Sequence, residues 1–376
     1  MFFTNGVLLA GLLPRYPEIK QMYGLSATSF GFLVIAMPLG AIAAATFAAP
    51  LIRRFGARMV NGVSSVVLAL VFAGAVQSPT PWGFALGLAL AGFTDAIADS
   101  AQNVQGVVVE QWKGRSIINS LHALWSLGAT CGGLIGTFCG ARGIALTTQV
   151  TVNGAVWILV ALLGAYLAAT PGDRGTEEEP NQETHETRAS GHRPWRLLLP
   201  LIVLSICGTL MEEVANSWSA LFFTQETAAP ANLVGLGFTI VLACQFIGRI
   251  LGDPMTDRWG REAVAAFGGI LVAIGMATAM LSPSWQLSLI GFGAMGFGSA
   301  TLVPAAFAAS ARVPGLAHGS GVAILGWFMR LGFLFTSPVI GVVADNVSLR
   351  TALLIPSAAG LLAAFLSDRI RRRQLV

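Results

Sequence analysis

Residues Ala91–Glu110 read AGFTDAIADSAQNVQGVVVE. The stretch lies inside a long apolar segment, yet it carries Asp95, Asp99, Asn103, Gly106 and Glu110. Counted from Asp95, these positions fall at i, i+4, i+8, i+11 and i+15, one stripe on an α-helix. At about 1.5 Å per residue the stripe is roughly 22 Å long, most of the depth of a bilayer's hydrocarbon core. A carboxylate facing lipid is costly, so the stripe must face other protein or water. Its expected place is the wall of a polar passage through a membrane.

Composition agrees with that reading. Of 376 residues, 55% are hydrophobic and only 11% charged. Soluble domains carry about 25% charged residues, so this chain is a polytopic membrane protein. The net charge of +4 comes from basic residues scattered between apolar segments, a pattern of membrane loops and not of nucleic-acid binding. Cys131, Cys139, Cys207 and Cys244 all sit in apolar runs without metal-ligand spacing. They read as small packing residues, and neither a metal nor a cofactor is expected. No phosphate-cradling loop, paired-histidine site or nucleophile elbow occurs, which argues against an enzyme and against ATP-driven pumping.

Twelve apolar segments can be counted. They lie near 1–14, 29–51, 59–77, 82–110, 118–141 and 147–169, then 197–217, 233–252, 263–281, 286–311, 319–343 and 351–367. Most reach the ~20 residues a crossing needs. The first, MFFTNGVLLAGLLP, is about six residues short of that length and has no basic flank. Either the natural start lies upstream of Met1 or this helix is thinly anchored, and the first is the preferred reading. Residues 171–196, PGDRGTEEEPNQETHETRASGHRPWR, lack apolar periodicity and read as a flexible tether. The chain therefore divides into a bundle over 1–170, a cytoplasmic linker over 171–196 and a bundle over 197–376.

Basic residues orient the chain. With termini and tether inside, sixteen Lys and Arg fall in inner loops and four, Arg15, Lys20, Arg142 and Arg350, in outer ones. Positive-inside bias then places both termini in the cytoplasm of a cell's inner membrane. Two arginines, Arg249 and Arg330, fall within spans. The halves also repeat. Arg53-Arg54-Phe55-Gly56-Ala57-Arg58 follows the second span, and Asp257-Arg258-Trp259-Gly260-Arg261-Glu262 follows the eighth, offset by 204 residues. Two six-helix repeats joined by a tether are the sequence mark of a two-bundle transporter.

These loops resemble the major facilitator superfamily pattern G-x-x-x-D-R-x-G-R-R. Gly252–Arg261 matches it well and Ala49–Arg58 partly: Arg53 stands at the aspartate's place and Ala49 at the glycine's. The second copy keeps Asp257 and carries Asp253 at the glycine position. Within the superfamily the chain is similar to the bacterial rhizopine-permease-like branch related to fucose permeases. The shared pieces are Asn5-Gly6, Arg15-x-Pro17-x-Ile19, Asp95 with Asn103-x-Gln105-Gly106 and Val109-Glu110, and His122-Ala123-Leu124-Trp125-Ser126. Glu212 with Trp218-Ser219-Ala220, Arg330-Leu331-Gly332-Phe333-Leu334 and Pro338-Val339-Ile340-Gly341 continue them, so the resemblance covers nearly the whole chain. It implies an all-α fold of twelve spans in two pseudo-symmetric bundles, with spans 1, 4, 7 and 10 lining a central cavity.

Candidate site residues follow from both readings. Asp95, Asp99 and Asn103 on the fourth span, and Glu212 on the seventh, are candidates for proton or substrate binding; the bland alternative is a carboxylate bonded to a neighbouring helix. Glu213 adjoins Glu212 but points about 100° away and can instead face the bundle seam; the alternative for both is that the span ends early and leaves them at the membrane interface. Arg330 lies too deep to snorkel, so it either binds an anionic group in the cavity opposite Asp95, Asp99 or Glu212, or forms a fixed salt bridge. His122 suits proton relay or a simple hydrogen bond, and Trp125, Trp218 and Trp327 offer flat faces or plain packing. Glu110, Arg54, Gly56, Asp257, Arg258 and Gly260 form the expected gating and loop motif. Gly128, Gly132, Gly136 and Gly140 form a close-packing row, similar to the family's fifth-helix seam motif, and Pro38, Pro304 and Pro338 are expected kinks. The expected function is secondary active transport of a small polar, sugar-like solute by a monomer, coupled to protons. An exporter of amphipathic compounds and a non-transporting sensor are the alternatives.

Overall fold

The computed structural model describes residues 1–44, 46–113, 118–167, 195–310, 313 and 320–374. Among them every regular element is helical. The first half contributes α1 (Phe2–Ala10), a 3-10 turn (Leu13–Arg15), α2 (Tyr16–Met22), α3 (Ala27–Val34), α4 (Ala36–Ala44) and α5 (Ala48–Phe55). It continues with α6 (Ala57–Ala75), α7 (Pro81–Lys113), α8 (Ile118–Ala141) and α9 (Leu146–Leu167). The second half contributes α10 (Trp195–Gln225), α11 (Leu236–Trp259), α12 (Arg261–Leu281), α13 (Trp285–Ser299) and α14 (Leu302–Ser310). It ends with α15 (Ser320–Asn346), α16 (Leu349–Ala352) and α17 (Ile355–Gln374). Of the tether, only Trp195 and Arg196 are described, as the first residues of α10.

Ten of these helical stretches are long and apolar enough to cross a membrane, and the other two crossings fall short for local reasons. The apolar part of α11, Leu236–Gly252, stops where Asp253, Asp257 and Arg258 begin. The first crossing is split: α1 ends at Ala10, but the chain continues helically through the 3-10 turn and α2 to Met22. Arg15 and Lys20, expected in an outer loop, therefore lie on helix. Arg15 is only 5% exposed because its guanidinium donates to Gln149 Oε1 (2.5 Å), to the Ile144 carbonyl (2.9 Å) and to Glu18.

Of the three prolines expected to kink helices, Pro38 and Pro304 break them where ring chemistry demands it. Proline removes an N–H and crowds the carbonyl four residues earlier. The partner of Pro38 is Val34, the last residue of α3; that of Pro304 is Ala300, in the gap between α13 and α14. Pro338 instead stays inside α15. Gly56 (φ 80°) and Gly260 (φ 84°) turn α5 into α6 and α11 into α12 at equivalent places in the two halves. Only glycine adopts that left-handed backbone without strain.

Backbone contact also explains the glycine row on α8. A Cβ at Gly128 would stand 2.1 Å from the Phe3 carbonyl oxygen, at Gly132 2.6 Å from that of Val7, and at Gly136 2.5 Å from that of Gly11. The row thus seats α8 on the first crossing of its own half, not on the seam between halves, as the resemblance implied. The seam on α8 is one residue over, where Gly133 meets Thr239 and Phe238 of α11.

Contacts between the halves have a direction. Alternation of the helices puts the loops near Gly24, Gln77 and Val347 at one face, poor in arginine, and those near Gly56 and Gly260 at the other, rich in it. The halves meet through α3 on α15, α8 on α11, and the 3-10 turn with α2 on α10. Asp345, near the end of α15, accepts the backbone N–H of Ala27 (2.9 Å) and Thr28 (2.7 Å) and so caps α3 across the seam. At the arginine-rich face, α5 packs on α6 and α7, while α14 packs on α10, α12, α13 and α15. Among the described residues the halves are therefore joined at the arginine-poor face by the capped α3/α15 contact.

A branched side chain at Gly128 or Gly132 has no room unless two helix backbones separate. Gly128→Leu is expected to cost about 1–3 kcal/mol or to prevent folding, as overpacking does. Gly74→Ala, which meets nothing within 4 Å, should leave stability equal or raise it by up to about 1 kcal/mol. Thermal unfolding of the purified variants in detergent checks both.

Candidate functional site

The α7 stripe meets α1 through Asp95 and α8 through Asn103. Trp125 Nε1–H donates to Asn5 Oδ1 (2.7 Å), and Asn5 Nδ2–H donates to Asp95 Oδ1 (2.7 Å). The indole fixes the amide so that its donor end must face the carboxylate. One turn further on, Asn103 Nδ2 donates to the Asp99 carbonyl (2.9 Å) and to Asp99 Oδ1 (3.1 Å), an i,i+4 pair. That leaves Asn103 Oδ1 facing His122 Nε2 at 3.1 Å, so the ring carries its proton on that nitrogen. Phe2 holds the imidazole edge-on, with ring centroids 5.3 Å apart.

The chain of contacts then crosses to the second half. Ser126, one turn after His122, donates to the His122 carbonyl (3.2 Å) and accepts from Arg249 Nη1 (2.8 Å). Arg249 Nη2 pairs with Glu212 Oε1 at 3.2 Å, and Gln245 Nε2 donates to the same oxygen at 3.2 Å. Gln245 and Arg249 are i,i+4 on α11, so one helix face presents an amide and a guanidinium to one carboxylate. Gln245 is 3% exposed, and its Oε1 has no hydrogen-bond partner among the described residues. An orphaned buried acceptor beside an ion pair is a place for a donor from water or a bound molecule.

The sequence-predicted residues divide accordingly. Asp99, Asn103 and His122 come together directly, and Asp95 joins Trp125 through Asn5. Glu212 does reach a guanidinium, but it is that of Arg249, not Arg330. Arg330 is half-buried and makes no hydrogen bond or ion pair among the described residues. It shares a face of α15 with Ser337 and Gly341, at i+7 and i+11. Those two meet Gly31 and Ala27–Thr28 of the other half, so Arg330 lies on the α15 face turned toward that half. Trp218 is fully buried, donating to Ser337 Oγ (3.0 Å), so its ring is committed to packing, whereas Trp327, one turn before Arg330 on α15, is 59% exposed.

In the loop motif, the Arg54 guanidinium stands 5.3 Å from the Phe55 ring centroid. Asp257 and Arg258 are exposed and form no ion pair among the described residues. The Glu110 side chain lies outside the described residues. Sequence reasoning missed Asn5, Ser126, Gln245 and Arg249 as site residues. Arg249 carried the same signal as Arg330, a charge deep in an apolar segment, and four residues before it Gln245 supplied a second polar group on that face.

Comparison with known proteins follows the same lines. The chain is 28% identical over 385 residues to the membrane protein MosC of Rhizobium meliloti, covering 99% of this chain and 90% of MosC. Among solved structures it superposes on the nucleoside transporter NupG (D323A mutant) with a TM-score of 0.80 at 13% identity, covering 98% and 97% of the two chains. The D-xylose–proton symporter gives 0.77 at 18% identity, covering 97% and 95%. The sequence pattern of the Major Facilitator Superfamily matches residues 1–228 and 201–374. With that match over almost its whole length and this fold, the chain belongs to the Major Facilitator Superfamily and is a multi-pass membrane transporter of small molecules, not an enzyme.

Proposed function

We propose that the chain is a proton-coupled secondary transporter of a small polar, sugar-like solute, working by alternating access as a monomer. In this reading residues 1–170 and 197–376 are two bundles that rock about the α3/α15 and α8/α11 seams, tethered by 171–196. The arginine-rich face, with both termini, is cytoplasmic in the inner membrane. The observation that carries the reading is the continuous polar chain Asp99–Asn103–His122–Ser126–Arg249–Glu212–Gln245, which runs from one half into the other at the depth of the apolar helices.

Its chemistry suits hydroxyl-rich cargo. Amides, a hydroxyl, an indole and an imidazole offer alternating donors and acceptors beside the Trp125 ring, and Gln245 Oε1 is left without a partner. Asp95 and Asp99 each accept from a neutral amide and bond to no Lys or Arg among the described residues, so they are the acids free to exchange a proton. Arg330 would bind cargo oxygens from the opposite side. The D-xylose–proton symporter, similar in fold, couples such a cargo to such an ion. Gly56 and Gly260, with Arg54, Asp257, Arg258 and Glu110, would shape the loops that gate the arginine-rich face.

Proteoliposome uptake against a panel of sugars, cyclitols and nucleosides tests this directly. An imposed pH gradient should drive accumulation of at least one neutral polar solute. Proton-driven extrusion of amphipathic cations would replace this reading with an exporter, and absence of any flux would point to a sensor. Asp95→Asn or Asp99→Asn should abolish gradient-driven accumulation while solute exchange across the membrane persists. Arg249→Gln removes the guanidinium that ties Glu212 to Ser126 and should lower solute affinity about 10–100-fold, read by binding titration, the loss of about one charge-assisted bond of roughly 1.5–3 kcal/mol.

A further inference from the structure

One buried acid plays no part in the polar chain. Glu213 is 8% exposed and sits at the contact between halves near the arginine-poor face. Its Oε1 accepts the hydroxyl of Ser217 (2.6 Å) on its own helix and that of Ser337 (2.5 Å) on α15. Ser337 in turn accepts the indole N–H of Trp218 at 3.0 Å, which commits its own proton to Glu213. Trp218 packs edge-on against Phe30 of α3 at 5.6 Å, and Phe30 against Tyr16 at 5.5 Å, closing the seam over the acid. A Cβ at Gly31 would stand 2.4 Å from the Ser337 carbonyl oxygen, so α3 and α15 touch through their backbones at this level.

Everything around this carboxyl is neutral or acidic. From α2 the phenol of Tyr16 faces it, and on α10 its neighbour Glu212 is engaged by Arg249. No charged residue occurs in α3 (Ala27–Val34). On α15, Asp345 is occupied with the α3 N-terminus, and Arg330 lies two turns away along the helix. Arg15, next to Tyr16, is committed to Glu18, Gln149 and Ile144. No cation bonds to Glu213 among the described residues. Sealing an ionised carboxylate without a cation is heavily penalised, whereas the neutral acid with two hydroxyl partners is readily buried.

We propose that Glu213 is a proton-binding site of the gate at the arginine-poor face, separate from the cavity acids, and that α3 and α15 close over it only when it carries a proton. When the gate opens, Phe30 and Ser337 part, water reaches the carboxyl and the proton leaves. Proton binding from that side then favours closure. The inference rests on the alternating-access reading above but not on its cargo, nor on Asp95 or Asp99.

Spin labels at exposed positions Gln21 and Asn346, one on each half, report the gate as a distance distribution. They are placed on a background whose four cysteines are replaced and whose solute flux matches that of the unmodified protein. In substrate-free protein the closed population should rise several-fold from pH 8 to pH 5.5. Glu213→Gln should be closed at both, with solute exchange reduced at least tenfold and insensitive to pH. Glu213→Asp should keep the response, and Gly31→Leu should hold the open distance even at pH 5.5. If Glu213→Gln follows pH as the parent does, or if the parent gate ignores pH, the proposal is overturned. If Glu213→Gln does not fold, Ser337→Ala takes its place: a response to pH identical to the parent's overturns the proposal, and a displaced one supports it. Failure of the alternating-access reading would look different, as an absence of flux in the unmodified protein under any gradient.

Discussion

The Arg249 guanidinium joins the two halves of this transporter at the depth where water is scarcest. It pairs with Glu212 within its own half and reaches Ser126 of the other. A charge in an apolar helix is tolerated only where protein or captured water satisfies it, so the position of Arg249 dictates what surrounds it. Glu212 supplies the opposite charge, Gln245 a second donor to the same oxygen, and Ser126 the acceptor that ties the pair to His122 and the α7 stripe. The polar chain is thus the set of partners that a few deep charges require. Gln245 Oε1, at one end of the chain, and the separate Arg330 guanidinium are where those requirements are unmet by the described residues.

Around this centre the packing is of two kinds. Within the first half α8 and α1 meet through glycines whose Cβ would strike backbone carbonyl oxygens, and α4 meets α7 likewise at Gly40 and Gly92. Within the second half Gly268 and Gly298 do the same between α12 and α13. Such contacts have no side chain to slide or rotate, so they hold neighbouring helices of one half against each other. Between the halves the close points among the described residues are Gly31 and Gly341 near the arginine-poor face, Gly133 and Gly235 on the α8/α11 side, the Asp345 cap on α3, and the Arg249 link. Helices held closely within each half, with the halves meeting at separate points, suit a rocking motion.

How much of this was legible in the sequence depended on how local the cause was. Apolar runs gave the crossings because lipid imposes their length, and Asp99–Asn103 was legible because four residues bring side chains together on one helix. Breaks at Val34 and Ala300 followed from Pro38 and Pro304 by ring geometry. Contacts set by helix placement were not legible. Asn5 meets Asp95 across 90 residues, and nothing in either segment names the other. Arg249 and Arg330 carry the same signal, and only packing decides which one Glu212 finds. The glycine row on α8 announced a close neighbour without saying that α1, in the same half, was the neighbour. The first crossing was read as too short because Arg15 looked like a loop residue; burial on Gln149 and Ile144 lets the helical path run past it.

The two adjacent glutamates of α10 show how one turn of helix divides two tasks. Their side chains diverge by about 100°, so Glu212 faces α11 and the ionic link while Glu213 faces α15 and the hydroxyls of the seam. The first has a guanidinium within reach and can stay charged in both states of a cycle. The second has only neutral donors in the closed state and must change its charge if the seam is to part and reseal. An ion pair toward α11 and an uncharged acid toward α15 cost little in the closed form, and only the acid loses its surroundings when α3 and α15 separate. That asymmetry lets the halves stay linked at Arg249 while one face opens.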